Sequence, residues 1–222
     1  MEQIALQLAL PGGEVADALL DPPPDPQACC VLAHGAGAGM RHPFLAGLAQ
    51  ALAHRGIAVL RFQFPFMQHG SRRPDPPALA QSAVRAAAQF VHHRYPDLPL
   101  HAGGKSFGAR MTSQAQAAAP LPGVRSLVFV GFPLHPAGKP GTQRADHLAD
   151  VALPMLFLQG TRDALADLGL VRPVIEKLGS RASLHVVDGA DHAFHVLVRS
   201  GRNDAQVLEE LAATMCAWML VR

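Results

Sequence analysis

Aromatic residues are scarce in this 222-residue chain: Phe, Trp and Tyr make up 5% of it, with one Trp and one Tyr. That weighs against the stacking platforms on which single-stranded nucleic acids are held. Charge is scarce as well, at 16%, and 19 Lys and Arg against 17 Asp and Glu leave a formal net charge of +2. No run of Lys or Arg exceeds two residues, so nothing marks a footprint for nucleic acid or anionic lipid. Long hydrophobic runs are missing too, since no segment approaches the ~18 apolar residues of a membrane span. The chain starts Met1-Glu2-Gln3, with an acid where a secretory leader carries positive charge. These features predict a soluble, cytoplasmic protein that contacts neither nucleic acid nor membrane; they leave oligomeric state open.

Cysteine is equally sparse. Cys29 and Cys30 are adjacent in an apolar run and Cys216 lies in a helical pattern, which offers neither a disulfide framework nor metal-ligand spacing. Three buried thiols are expected. The 12 histidines do not change this, because His92-His93 ends a polar helix face and His192/His195 lacks the H-E-x-x-H pattern. No metal and no organic cofactor is expected.

What the chain has in quantity is apolar residues, 49%, together with 20 Gly and 19 Pro that cluster as turn punctuation. Residues 4–10 alternate apolar and polar, Pro11-Gly12-Gly13 turns, and residues 15–20 continue, which predicts an N-terminal β-hairpin. After the Pro-rich loop 21–26 the rhythm becomes short apolar runs at 29–33, 58–61, 100–103, 126–130, 155–159 and 183–187. Helical patterns fall at 44–55, 78–94, 107–119, 165–178 with a break at Pro173, and 205–220. Such alternation predicts a mostly parallel, doubly wound α/β sheet, and residues 1–222 read as one domain.

Gly104-Lys105-Ser106-Phe107-Gly108 fits G-x-S-x-G at a strand-to-helix junction. A nucleophile on so sharp a turn needs small neighbours, because strand and helix must approach closely. Ser106 is the candidate nucleophile. An acid and then a base should follow, each after its own strand. The run 155–159 leads into Gly160-Thr161-Arg162-Asp163, and the run 183–187 into Asp188-Gly189-Ala190-Asp191-His192. Asp163 is therefore the candidate acid and His192 the candidate base. Asp167, Asp188, Asp191 and His195 are weaker alternatives, since Asp188 and Asp191 share the base's own loop and His195 lies beyond it. Oxyanion donors are expected from the Phe107 N–H, next to the nucleophile, and from the Ala36 N–H in the glycine-rich loop after the first parallel strand. Lys105 either attracts an anionic substrate or pairs with a carboxylate, and the His34 ring is expected to hold the glycine-rich loop. A phosphate-binding reading of Gly104-Lys105-Ser106 fails, because Pro99 stands where the P-loop needs Gly.

The segments His34-Gly35-Ala36-Gly37-Ala38-Gly39, Arg61-Phe62-Gln63-Phe64-Pro65-Phe66, Gly103-Gly104-Lys105-Ser106-Phe107-Gly108, Phe132-Pro133-Leu134-His135-Pro136, Gly160-Thr161-Arg162-Asp163 and Gly189-Ala190-Asp191-His192 together resemble the α/β-hydrolase superfamily. More narrowly, they are similar to small capless hydrolases related to dienelactone hydrolase. The resemblance implies the α/β-hydrolase fold and Ser106, Asp163 and His192 in their respective roles; Ser replaces the nucleophilic Cys of dienelactone hydrolase. It implies a serine esterase or thioesterase acting on a small acyl ester or thioester. The alternative is a non-catalytic interaction or scaffold protein on the same fold. Residues 131–153, where a lid is usually inserted, are too few for a helical cap, so an open site is expected. Phe66, Met67, Phe107, Leu134 and Phe194 are the expected lining.

Overall fold

The computed structural model describes residues 2–222. An eight-stranded sheet runs β1(Ile4–Ala9), β2(Val15–Asp21), β3(Ala28–Ala33), β4(Ile57–Phe62), β5(Leu100–Lys105), β6(Val124–Val130), β7(Met155–Gly160) and β8(Ala182–Val187) along the chain. Its spatial order is β1-β2-β4-β3-β5-β6-β7-β8. The first two strands form the expected hairpin, and β2 adds antiparallel to β4; β4-β3-β5-β6-β7-β8 are all parallel.

The parallel strands read as continuous apolar runs because helices cover both faces. All six residues of β3, β4 and β7 are buried. One face carries α1(Pro43–Ala53) and α6(Asp204–Met219), which pack on alternate residues such as Cys30, Leu32, Val128 and Val130. The other carries α3(Pro77–Arg94), α4(Phe107–Ala118) and α5(Leu168–Leu178) over Cys29, Val31, Ala102 and Phe129. A short helix α2(Pro65–Gln68) and a 3-10 stretch at Gln143–Asp150 complete the layers. Cys29, Cys30 and Cys216 are buried and free, and burial pushes the Cys29 and Cys30 thiols up to about 12.

Two expectations are corrected. Pro173 does not break its helix; α5 starts three residues late, at Leu168, and continues through the proline. Pro173 is exposed, so solvent can take the place of the N–H it lacks. The 3-10 stretch had no helical period to announce it.

The strand order places the site. β4 lies on one side of β3 and β5 on the other, so the connections after β3 and β5 leave in opposite directions and open a crevice at the strands' C-terminal ends, where ligands bind in doubly wound sheets.

Two buried histidines make this fold acid-sensitive. His101 shares a 2.7 Å hydrogen bond with Ser126 across β5 and β6, and its Nε2 is buried without a partner. His34 is also buried. Burial lowers both from 6.5 to about 4, helped at His101 by Arg125 and opposed at His34 by its backbone hydrogen bonds. Between about pH 6.5 and pH 4 the unfolded chain therefore binds protons that the folded chain refuses. Stability present above pH 6.5 should fall across that window by up to about 3 kcal/mol per histidine. Urea unfolding at about pH 7.5 and pH 4.5 checks this, and His101→Gln should remove about half of the pH-dependent loss.

Candidate active site

β5 ends at Lys105 and α4 begins at Phe107, so the chain reverses on Ser106 alone. Ser106 sits at φ 53 and ψ −112, a region that costs a non-glycine residue about 1–3 kcal/mol. The flanking glycines show why the turn is possible. A Cβ on Gly104 or on Gly108 would stand 2.4 Å from the Ala33 carbonyl oxygen, so only hydrogen lets β5 and α4 both close on β3. The Ser106 N–H donates to Val130 O at 3.2 Å and pins the turn to β6.

The acid and base candidates arrive from two further strand ends. Asp163 lies in the turn after β7; its side chain is fully buried, and its Oδ1 accepts the Leu165 N–H at 2.8 Å. His192 lies in the loop after β8. Its Nδ1 is 2.8 Å from Asp163 Oδ2 and its Nε2 is 2.8 Å from Ser106 Oγ. A carboxylate only accepts, so Nδ1 carries the proton and Nε2 accepts from the serine hydroxyl. The three residues singled out from spacing thus stand in one hydrogen-bonded chain.

The rival residues have other partners. Asp191 Oδ1 accepts the Ala193 and His195 N–H groups and shapes the His192 loop. Asp167 caps α5 through the Gly169 N–H, Asp188 accepts from Thr161, and His195 pairs with Asp204 at the surface.

The glycine-rich loop packs against the turn: a Cβ on Gly35 would lie 3.7 Å from Ser106 Cβ. Ala36 lies in a turn closed by Ala38 N–H to Gly35 O at 3.3 Å, and it lines the same cavity as Ser106. Phe107 opens α4, so its N–H has no acceptor within the helix. Such a loop has few side chains with which to hold itself, and its neighbours supply the anchors. His34 Nε2 accepts the Phe64 N–H at 2.9 Å, so Nδ1 is protonated and donates to Gly35 O at 2.8 Å. The expected loop-holding role of His34 is what the structure has. Sequence reading missed two further anchors: Gln63 Oε1 accepts the Met40 N–H at 2.9 Å, and buried Arg61 donates to Met40 O at 2.6 Å while paired with Asp21 at 2.8 Å. The available signal was an arginine inside an otherwise apolar strand, since such a charge requires a partner.

A cavity of about 390 Å³ opens beside Ser106 and His192, walled by the loop 34–39 with His42, Phe44, Leu45, Lys105, Leu165 and Ala193. The expected lining is corrected here: Phe66, Met67, Phe107, Leu134 and Phe194 are not part of that wall. Phe66 and Phe107 pack edge-to-face at 5.9 Å in the core on the other side, with Phe64. Leu134 is buried beneath the 131–136 segment, and Phe194 stacks on Phe44 at 5.8 Å under the His192 loop.

A family model described as an alpha/beta hydrolase domain matches residues 26–220. The chain belongs to the alpha/beta hydrolase family. A solved structure from Xanthomonas campestris, described as an alpha/beta serine hydrolase without a lid, is 26% identical, covers 99% of this chain and 96% of its own, and superposes with a TM-score of 0.75. Dienelactone hydrolase from Anabaena variabilis shares the fold of this alpha/beta hydrolase at 20% identity, with 99% and 97% coverage and a TM-score of 0.78. A Mycobacterium tuberculosis protein named "putative phosphoribosyl transferase" is 28% identical over 204 residues. The match covers 89% of this chain but only 42% of that protein, so this chain spans under half the length of that relative.

The backbone strain at Ser106 is measurable without any substrate. Ser106→Gly and Ser106→Ala both remove the hydroxyl, but only glycine relieves the positive φ. The glycine variant should be the more stable by about 1–2 kcal/mol in urea unfolding.

Proposed function

We propose that this alpha/beta hydrolase is a serine carboxylesterase or thioesterase that cleaves small acyl esters through an acyl-Ser106 intermediate. The observation that carries the reading is the unbroken chain from Ser106 Oγ through His192 to buried Asp163, each link 2.8 Å long. That both Ser106 and His192 line one open cavity favours an enzyme over a scaffold.

In this reading His192 Nε2 takes the Ser106 proton as Oγ attacks the acyl carbonyl carbon. Asp163 holds Nδ1–H and stabilises the imidazolium that forms. The N–H groups of Phe107 and Ala36 receive the developing oxyanion, each worth roughly 3 kcal/mol of barrier. Collapse breaks the bond to the alcohol or thiol, which leaves with the proton from Nε2. Water then gives a proton to Nε2, its oxygen attacks the acyl carbon, and a second collapse frees the acid and returns the proton to Ser106.

Cavity size and lining set the substrate class. Ala36, Phe44, Leu45, Leu165 and Ala193 make most of the wall apolar, and no helical cap stands in residues 131–153 to extend it. A compact acyl group fits such a site better than a long chain.

Stoichiometric labelling of Ser106 by a fluorophosphonate, mapped by peptide mass, tests the reading. Ser106→Ala should abolish labelling and lower kcat/KM on p-nitrophenyl acetate or butyrate by at least about 10⁴-fold, and Asp163→Asn should cost about 10⁴-fold with the fold intact. A folded wild-type protein that neither labels nor turns over short esters and thioesters would overturn it.

A further inference from the structure

The residue before the nucleophile has a place that the cycle above does not use. Lys105 ends β5 and turns its side chain under the loop after β8, where Nζ donates to the His192 carbonyl oxygen at 2.5 Å. The same ammonium lies 5.4 Å from the Phe194 ring centroid, over its face. Below it is the end of β6, and here glycine is required: Gly131 has φ +67, and a Cβ on it would stand 2.9 Å from Lys105 Nζ and 3.6 Å from His192 Cε1. The ammonium is thus wedged between β6 and the loop that carries the imidazole.

We propose that Lys105 is a positioning residue for the base: by holding the His192 carbonyl and the Phe194 ring it keeps the His192 imidazole in register with Ser106 Oγ. The inference rests on the esterase reading above and adds to it a fourth side chain, at the edge of the cavity, that acts through His192.

The geometry favours this role over an anion subsite. Lys105 borders the cavity, but its ammonium is turned to the protein, with one N–H committed to His192 O and its charge placed over Phe194. The charge is also partly answered already. Asp163, from the turn after β7, and Asp191, from the His192 loop, both act on it. His192 itself, whose carbonyl Lys105 holds, is a further titratable group beside it. The β6 end and the glycine-rich loop present Gly131 and Gly35, which do not titrate, and His34 and His42 share the cavity wall. His34 is held neutral by its burial.

The clamp has its own pH dependence. Burial lowers Lys105 from 10.5 to about 8 against the pull of Asp163 and Asp191. Below that pH the charged form makes a charge-assisted hydrogen bond, roughly twice as strong as a neutral one. Above it the amine remains, the cation–π contact is lost, and the loop is held less firmly.

The test is the second-order rate of fluorophosphonate labelling at Ser106 from about pH 6 to pH 10, which needs no knowledge of the natural substrate. Wild type should show an alkaline limb with a midpoint near pH 8 and a fall of about 10-fold. Lys105→Met should label about 10-fold more slowly at pH 7 and lose that limb, while Lys105→Gln, a neutral donor, should fall between the two and also show no limb. A residue that merely supports the fold would lower the melting temperature without removing the limb. A flat wild-type profile to pH 10, or a Lys105→Met profile that matches wild type, would overturn the clamp while leaving the nucleophile intact. If the folded wild type does not label at Ser106 at any pH, the esterase reading fails and the clamp fails with it. Should Lys105→Met not fold, the Lys105→Gln rate at pH 7 decides, and a rate equal to wild type overturns the clamp.

Discussion

The carbonyl of Ala33 is the point at which two glycines of the turn close on a third element, and the rest of the site is arranged around it. Gly104 and Gly108 both approach it to a distance that excludes a side chain on either, so β5, α4 and β3 meet where only hydrogens fit. That contact fixes the angle at which the strand turns into the helix. The turn in turn forces Ser106 to positive φ, lifts its hydroxyl out of the sheet edge, and frees the first N–H groups of α4 on the same side. A backbone position that costs energy persists only where its surroundings over-determine it. Here they do: Ser106 N–H is tied to β6, and Arg110 N–H closes the first helical turn on Ser106 O.

Around that rigid point the site is made of loops, and each is held by polar groups. The loop 34–39 hangs from His34, Gln63 and Arg61. The Arg61–Asp21 pair is almost wholly buried, and removing one partner of such a pair typically costs 3–5 kcal/mol, because the other is left charged in the interior. Its return is positional, since Arg61 spends a further donor on Met40 O, where the loop runs into α1. The Asp163 turn is held by the Leu165 N–H, and the His192 loop by Asp191 from within and Lys105 from below. A site without a lid has no second layer to press its loops into place, so these bonds have to do it from inside.

Much of this was legible in the sequence, for identifiable reasons. Parallel strands covered on both faces must be apolar throughout, so β3, β4 and β7 announced themselves, and the elbow was readable because its steric demand can be met only by small residues at fixed offsets. Asp163 and His192 were readable because each follows its own strand, and the fold's chain order puts them at neighbouring strand ends. What could not be read was set by side-chain direction. Phe66, Phe107 and Phe194 look like pocket walls from their proximity in sequence to the site, yet each points away from it into a core layer. Lys105 could be seen as adjacent to Ser106, but only the folded chain shows that its ammonium meets the His192 carbonyl and the Phe194 ring. Pro173 misled because a proline's effect depends on whether water reaches the carbonyl it leaves open.

That division bears on how far a shared fold carries a shared reaction. The elbow contact and the strand order belong to the sheet, and the sheet is what this chain has in common with a structure at 20% identity. Most of the cavity wall lies outside the strands: residues 34–39 and His42 between β3 and α1, Phe44 and Leu45 in the first turn of α1, Leu165 beyond the Asp163 turn, and Ala193 beside His192. A change at Phe44 or Leu165 alters the shape of the cavity while leaving the glycine contact at Ala33 untouched. The shape of the cavity can therefore change freely where the Ser106 turn cannot, because the two are built from different parts of the chain under different constraints.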